Sequence, residues 1–199
     1  MLMMTGLITQ HMIAHIVAMN MVAPVVALFA QRNRLIWRKA SSSIGAATAV
    51  QLALLWGWHL PVPMAYATAS AEGMLLMHTS LFLAALWFWA SVVDAAIRTG
   101  WRALAALLVT GKIFCLLGVI IVFAPRPLYP TMPLHTQRGQ FADPALQLAD
   151  QQLAGLLMLI VCPLTYVLAA IVIAAYWLSY IDRHPGWTHR AAPHLQDPL

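Results

Sequence analysis

The stretch LITQHMIAHIVAMNMVAPVVALFA, residues 7–30, runs without a single Asp, Glu, Lys or Arg. A helix needs roughly 20 mostly apolar residues to cross a bilayer core, so this stretch reads as a membrane span. The link that follows, QRNRLIWRKASS (31–42), is basic. Further apolar runs lie at about 41–60, 73–93, 103–124 and 150–178. The expected fold is therefore all-α: a polytopic membrane helix bundle of about five transmembrane helices. Composition agrees, with 62% hydrophobic residues and only 11 basic and 6 acidic side chains among 199. Soluble domains carry charge on about a quarter of their residues, and 17 charges cannot cover an aqueous exterior of this size. Disorder is excluded as well, because it requires low hydrophobicity.

The formal net charge is +5. In a soluble chain that would point to nucleic acid, but here the basic residues flank apolar runs and read as topology signals. Arg32, Arg34, Arg38, Lys39, Arg98, Arg102, Arg183 and Arg190 fall on one side of the expected bundle, Arg126 and Arg138 on the other. The positive-inside rule then puts the N-terminus outside and the C-terminus in the cytoplasm. The first residues lack a basic region and a cleavage site, so they lead into a span and are not a signal peptide. Residues 1–182 form a single transmembrane domain in this reading, and 183–199 form a disordered cytoplasmic tail. His184, His189 and His194 of the tail are spaced by five, which matches no helical face.

Two segments face outward: HLPVPMAYATASAEG (59–73) and the proline-rich 124–144, expected to be a stiff, extended cover. Pro24 and Pro163 fall inside spans and are expected to kink them, with neighbouring helices satisfying the freed carbonyls. Lys112 lies inside the fourth span, where it could snorkel, with Asp94 as a candidate partner. Cys115 and Cys162 are far apart and form no CxxC, so they read as small core residues.

Ionisable side chains are costly inside a bilayer, so each is a functional candidate. His11 and His15 stand four residues apart on one helical face, and Met19 continues that stripe. His59 closes the second span at its outer end. His78 lies early in the third, with Met74 one turn above it. Gln151, Gly155, Met158 and Cys162 share a face of the fifth. Four histidines from three helices thus fall at similar depth, all within roughly 15 Å of the outer surface at 1.5 Å of rise per residue. Imidazole suits copper, zinc, iron and nickel, while thioether sulfur favours Cu(I). The expected metal is copper, with His11, His15, His59, His78, Met19, Met74 and Met158 as candidate ligands. Asp150 and Gln151, at the mouth of the fifth span, could orient a histidine. Haem is the rival. His11 and His15 share one face and cannot hold opposite sides of one haem, but His78 with either of them could. A metal-free accessory subunit, whose histidines only hydrogen-bond, is the third possibility. No hydrolytic triad, phosphate loop or carboxylate pair suggests an enzyme.

HMIAHIVAMNMVAPVVALFA (11–30) resembles the first motif of the polytopic CtaG family of cytochrome c oxidase assembly factors: two histidines four apart, a Met-rich turn and a proline. WGWHLPVPMAYATA (56–69) is similar to the family's Trp-His-x-Pro segment. The helix of His78 followed by WFWA (87–90), and DQQLAGLLM (150–158), resemble two further motifs in the same order. The chain departs from the pattern at position 74, which holds Met near His78, and in having fewer spans than longer members. The resemblance implies a bacterial inner-membrane protein that helps mature a haem-copper oxidase through copper. Its partners would be oxidase subunits or a periplasmic copper carrier. The matched positions single out His11, His15, His59, His78, Asp150, Gln151 and Met158.

Overall fold

In hydrocarbon every backbone N–H and C=O must find its partner within the protein, so uncharged runs fold as helices. The computed structural model describes residues 6–30, 43–129 and 143–183, and every element among them is helical. Helix α1 (Leu7–Val17) passes through a π-helical turn (Ala18–Val22) into α2 (Ala23–Ala30). There follow α3 (Ile44–Trp58), α4 (Pro61–Ala69), α5 (Ala71–Arg98), α6 (Gly100–Phe123) and α7 (Pro144–Arg183). Among the described residues, four stretches are long and apolar enough to cross a membrane: Ile8–Ala30, Ala71–Arg98, Gly100–Phe123 and Pro144–Tyr180. Their outward faces carry Phe29, Leu83, Leu116 and Val172, all more than half exposed, as a lipid-facing surface requires. The protein is a multi-pass membrane protein by length and composition.

The second expected span differs from its reading. At 15 residues α3 is a shorter apolar helix, rising about 22 Å where the bilayer core is about 30 Å. Pro61 is the cause. Leu60, before it, is extended (φ −69°, ψ 146°), and Pro61 then starts a new helix as its first residue. Much of the expected 59–73 link is thus the helix α4. The third and fifth spans run past both of their expected ends; α5 begins at Ala71 under a cap from Ser70, whose Oγ accepts from Gly73 N at 3.0 Å. The segment 130–142 and the tail with its three histidines lie outside the described residues.

The prolines act differently. Helix α7 runs unbroken through Pro163. Before Pro24, the amide of Ala23 reaches back five residues to Ala18 O, which leaves Met19 O free. Trp89 of α5 takes that carbonyl, its Nε1 donating at 2.9 Å. Helices α6 and α7 pack closest where Gly118 and Gly155 meet: a Cβ on Gly155 would stand 2.9 Å from methyl carbons of Ile121 and Val122. Asp94 pairs with Arg98 (3.0 Å) one turn along its own helix and not with Lys112, which is exposed on α6. The i,i+4 spacing makes Arg98 the nearer cation.

Candidate metal centre

The chain reverses direction at each connection, so four helix ends collect at one end of the bundle: the start of α1, the end of α3, and the starts of α5 and α7. His11 and His15 come from the first, His59 and His78 from the next two. His11 and His15 are buried (7% and 4% exposed). Their Nε2 atoms lie 2.8 Å apart, so one ring donates to the lone pair of the other. His78 closes the group, its ring stacked on His15 (centroids 4.5 Å, 25°) and edge-on to His11 (4.8 Å, 85°). One nitrogen from each of His11, His15 and His78 falls within 4.8 Å of the others.

Tautomers follow from the backbone. A carbonyl only accepts, so His78 Nδ1 donates to Met74 O (2.8 Å) and His59 Nδ1 to Leu55 O (2.6 Å). Each ring then turns a lone-pair Nε2 away from its own helix, the arrangement metal-ligating histidines use. His59 Nε2 is buried and has no hydrogen-bond partner among the described residues. Its ring lies 6.3 Å from that of His15, beyond the tight cluster of three.

Below the cluster is a cavity of about 20 Å³, room for one water or ion, bordered by His15, His59, Met12, Met19, Met158 and Cys162. Met19 and Met158 of the expected sulfur donors are therefore here. Met74 is half-buried, and its carbonyl, which holds His78, is the group seen to act. Met12 is not among the expected donors, and Cys162, placed by spacing on the face of Gln151 and Met158, is expected only as a core residue. Met12 does stand one turn before Ile16 and two turns before Met19, on the face of His15.

Asp150 and Gln151 act on the histidines through the backbone. The Asp150 carboxylate caps α1 from the neighbouring helix, accepting from Ile8 N (2.9 Å), Thr9 N (3.4 Å) and Thr9 Oγ1 (2.5 Å). The N-cap residue Gly6 has no side chain to offer, and a Cβ there would overlap the Asp150 carboxylate. The anion also meets the positive end of the helix dipole. It thereby fixes the turn just before His11. Gln151, fully buried, donates to Ile121 O (3.2 Å) and accepts from Leu128 N (2.7 Å). It thus anchors the loop after α6. From that loop Tyr129 donates to His59 O at 2.8 Å. Burial pushes the Tyr129 phenol from its ordinary 10.0 up to about 12, so it stays a donor at working pH.

The family described as cytochrome c oxidase caa3 assembly factor (Caa3_CtaG) matches residues 1–179. No curated protein and no solved structure matches the chain. The family match spans all four stretches that carry the histidines and the Asp150–Gln151 pair, and it leaves out only the last 20 of 199 residues. The chain belongs to the family of caa3-type cytochrome c oxidase assembly factors.

Proposed function

We propose that this assembly factor carries copper as its cargo, taking it at the His11–His15–His78 cluster and passing it to oxidase subunits or to them through a periplasmic copper carrier. The observation that carries the reading is the convergence of three imidazole nitrogens within 4.8 Å, two of them buried on one face of α1. Two bonds of about 2.0–2.1 Å at a tetrahedral angle put ligand nitrogens about 3.3 Å apart. The 2.8 Å contact of His11 and His15 opens to that spacing with a small rotation of either ring. The ring that now donates from Nε2 would carry its proton on Nδ1 instead. The histidine end faces the periplasm on the strength of its few basic residues, Arg126 among them, against Arg98, Arg102 and Arg183 at the far end. The membrane is accordingly the bacterial inner membrane.

Donor chemistry favours copper over harder metals: imidazoles lie beside thioethers, and the cavity lining carries no carboxylate. The geometry weighs against haem. Rings stacked at 4.5 Å leave no slot for a porphyrin between His15 and His78. A metal-free role is disfavoured by the unpartnered His59 Nε2, since a histidine kept only for hydrogen bonding would have both nitrogens engaged. Elemental analysis with an absorption spectrum on detergent-purified, tag-free protein tests the proposal. About one copper per chain or more after loading, without a Soret band, is the expected result. Iron with a Soret band, or no copper after loading, would overturn it.

A further inference from the structure

The cavity below the three-histidine cluster differs from it in chemistry. Three of the chain's eleven methionines and one of its two cysteines border a space of about 20 Å³. Methionine is the side chain best able to swing into a gap and fill it. A space left open among three of them suits an occupant that their sulfurs can hold. Two buried acceptors border it without a donor, His59 Nε2 and Asn20 Oδ1. A buried polar atom left unpaired costs about 1–3 kcal/mol. Asn20 is at the same time committed to Cys162, its Nδ2 donating to Sγ at 3.3 Å. A donor aimed at a sulfur leaves the sulfur's other lone pair for the remaining space.

We propose that this cavity is a second, soft-metal site, distinct from the three-histidine cluster, which holds Cu(I) on Cys162 Sγ and His59 Nε2 with thioether support from Met19 and Met158. The inference rests on the copper reading for the identity of the metal. Charge is the reason Cys162 belongs in the set. A monovalent cation held only by neutral ligands would leave a full charge in the membrane interior, which is expensive. If the Sγ–H bond breaks as the Cu–S bond forms, and the proton leaves to the aqueous phase, the net charge of the site does not change. No electron moves, so the step needs no oxidant or reductant. His15 borders both sites. An ion entering among imidazoles can therefore move to sulfur by exchanging one ligand at a time. His15 then hands the ion across, and His59, whose ring borders the cavity, receives it.

The test uses the full chain in detergent without oxygen, with Ag(I) as a redox-silent probe of the sulfur site and Zn(II) as a probe of the imidazole cluster. Metal per chain is read by mass spectrometry after dialysis. The wild type should bind about one Ag(I) at the cavity and release one proton with it. C162S and M158L, close in volume to the residues they replace, should lose that Ag(I) together when combined and keep Zn(II). The pair His11→Ala and His15→Ala should do the reverse. Ag(I) binding unchanged by C162S/M158L would overturn the second site, as would a wild type that takes up none because a water bridges His59 and Asn20. In either case Zn(II) loss on the histidine variants would still stand for the first site. X-ray absorption on the Ag(I)-loaded wild type checks the result without any variant: a sulfur shell is expected, and a shell of nitrogen alone would contradict it.

Discussion

The two halves of the bundle solve the same problem in opposite ways. Around Tyr166, large rings fill the space. Trp89 stacks on it at 5.4 Å and 11°, with Phe88 and Phe114 edge-on at 5.9 and 5.3 Å. The polar tips of those rings are engaged: Tyr166 accepts from Gln51 Nε2 at 2.9 Å, and Trp89 donates to Met19 O. At the histidine end the rings are small, their lone pairs converge, and a cavity stays open. Aromatic burial of this kind contributes stability, whereas buried imidazoles with a free nitrogen subtract from it. The difference separates what holds the helices together from what they are held together for.

The largest expected effect breaks the comparison at the histidine end. Replacing His11 and His15 by Ala should remove at least one copper equivalent per chain while thermal unfolding in detergent stays close to wild type. A variant that keeps as much copper per chain as the wild type would place the first metal elsewhere. Next is the aromatic half, where Tyr166→Ala should cost about 3–5 kcal/mol of stability, as large aromatic truncations do. Copper per folded chain should be retained; copper lost without a stability change would reverse the assignment of the two halves.

Asp150→Asn probes the link between them. It weakens the cap on α1, worth about 1 kcal/mol, and should lower copper affinity several-fold without abolishing binding. An unchanged titration would show that the start of α1 holds its place without the carboxylate. The smallest effect belongs to Tyr129→Phe, which removes one hydrogen bond worth about 1 kcal/mol. Because the folded phenol is raised from 10.0 to about 12, its contribution is constant below pH 10 and is lost as pH climbs toward 12. The Phe variant should lack that alkaline decline in stability, read as midpoint against pH. A decline that persists would assign it to another group.

Much of the fold was legible because the bilayer limits the choices. The apolar runs, the basic links and the depth of four histidines all follow from counting residues along helices. The helical stripe of His11, His15 and Met19 needed only the 3.6-residue period. What could not be read depended on partners far away in sequence. Asp150 stands in the sequence as a group able to orient a histidine, but its role is set by amides 141 and 142 residues before it. Gln151 likewise reaches His59 only by way of Leu128 and Tyr129. The break at His59–Leu60 was signalled by Pro61, yet a long apolar average across 41–60 hid it. Cys162 read as a core residue because burial is all that spacing reveals; that it borders a cavity opposite Asn20 is a tertiary fact. The π-turn before Pro24 has the same origin, since the carbonyl it frees is taken by Trp89 from 70 residues away.

The most direct measurement of the account is the copper content of the oxidase itself. It would be purified from cells whose sole copy of this protein carries His11→Ala and His15→Ala, and compared with oxidase from wild-type cells. An oxidase that assembles with its haem but is short of copper is the predicted result. An oxidase fully loaded with copper would contradict the claim that the three-histidine cluster carries the metal.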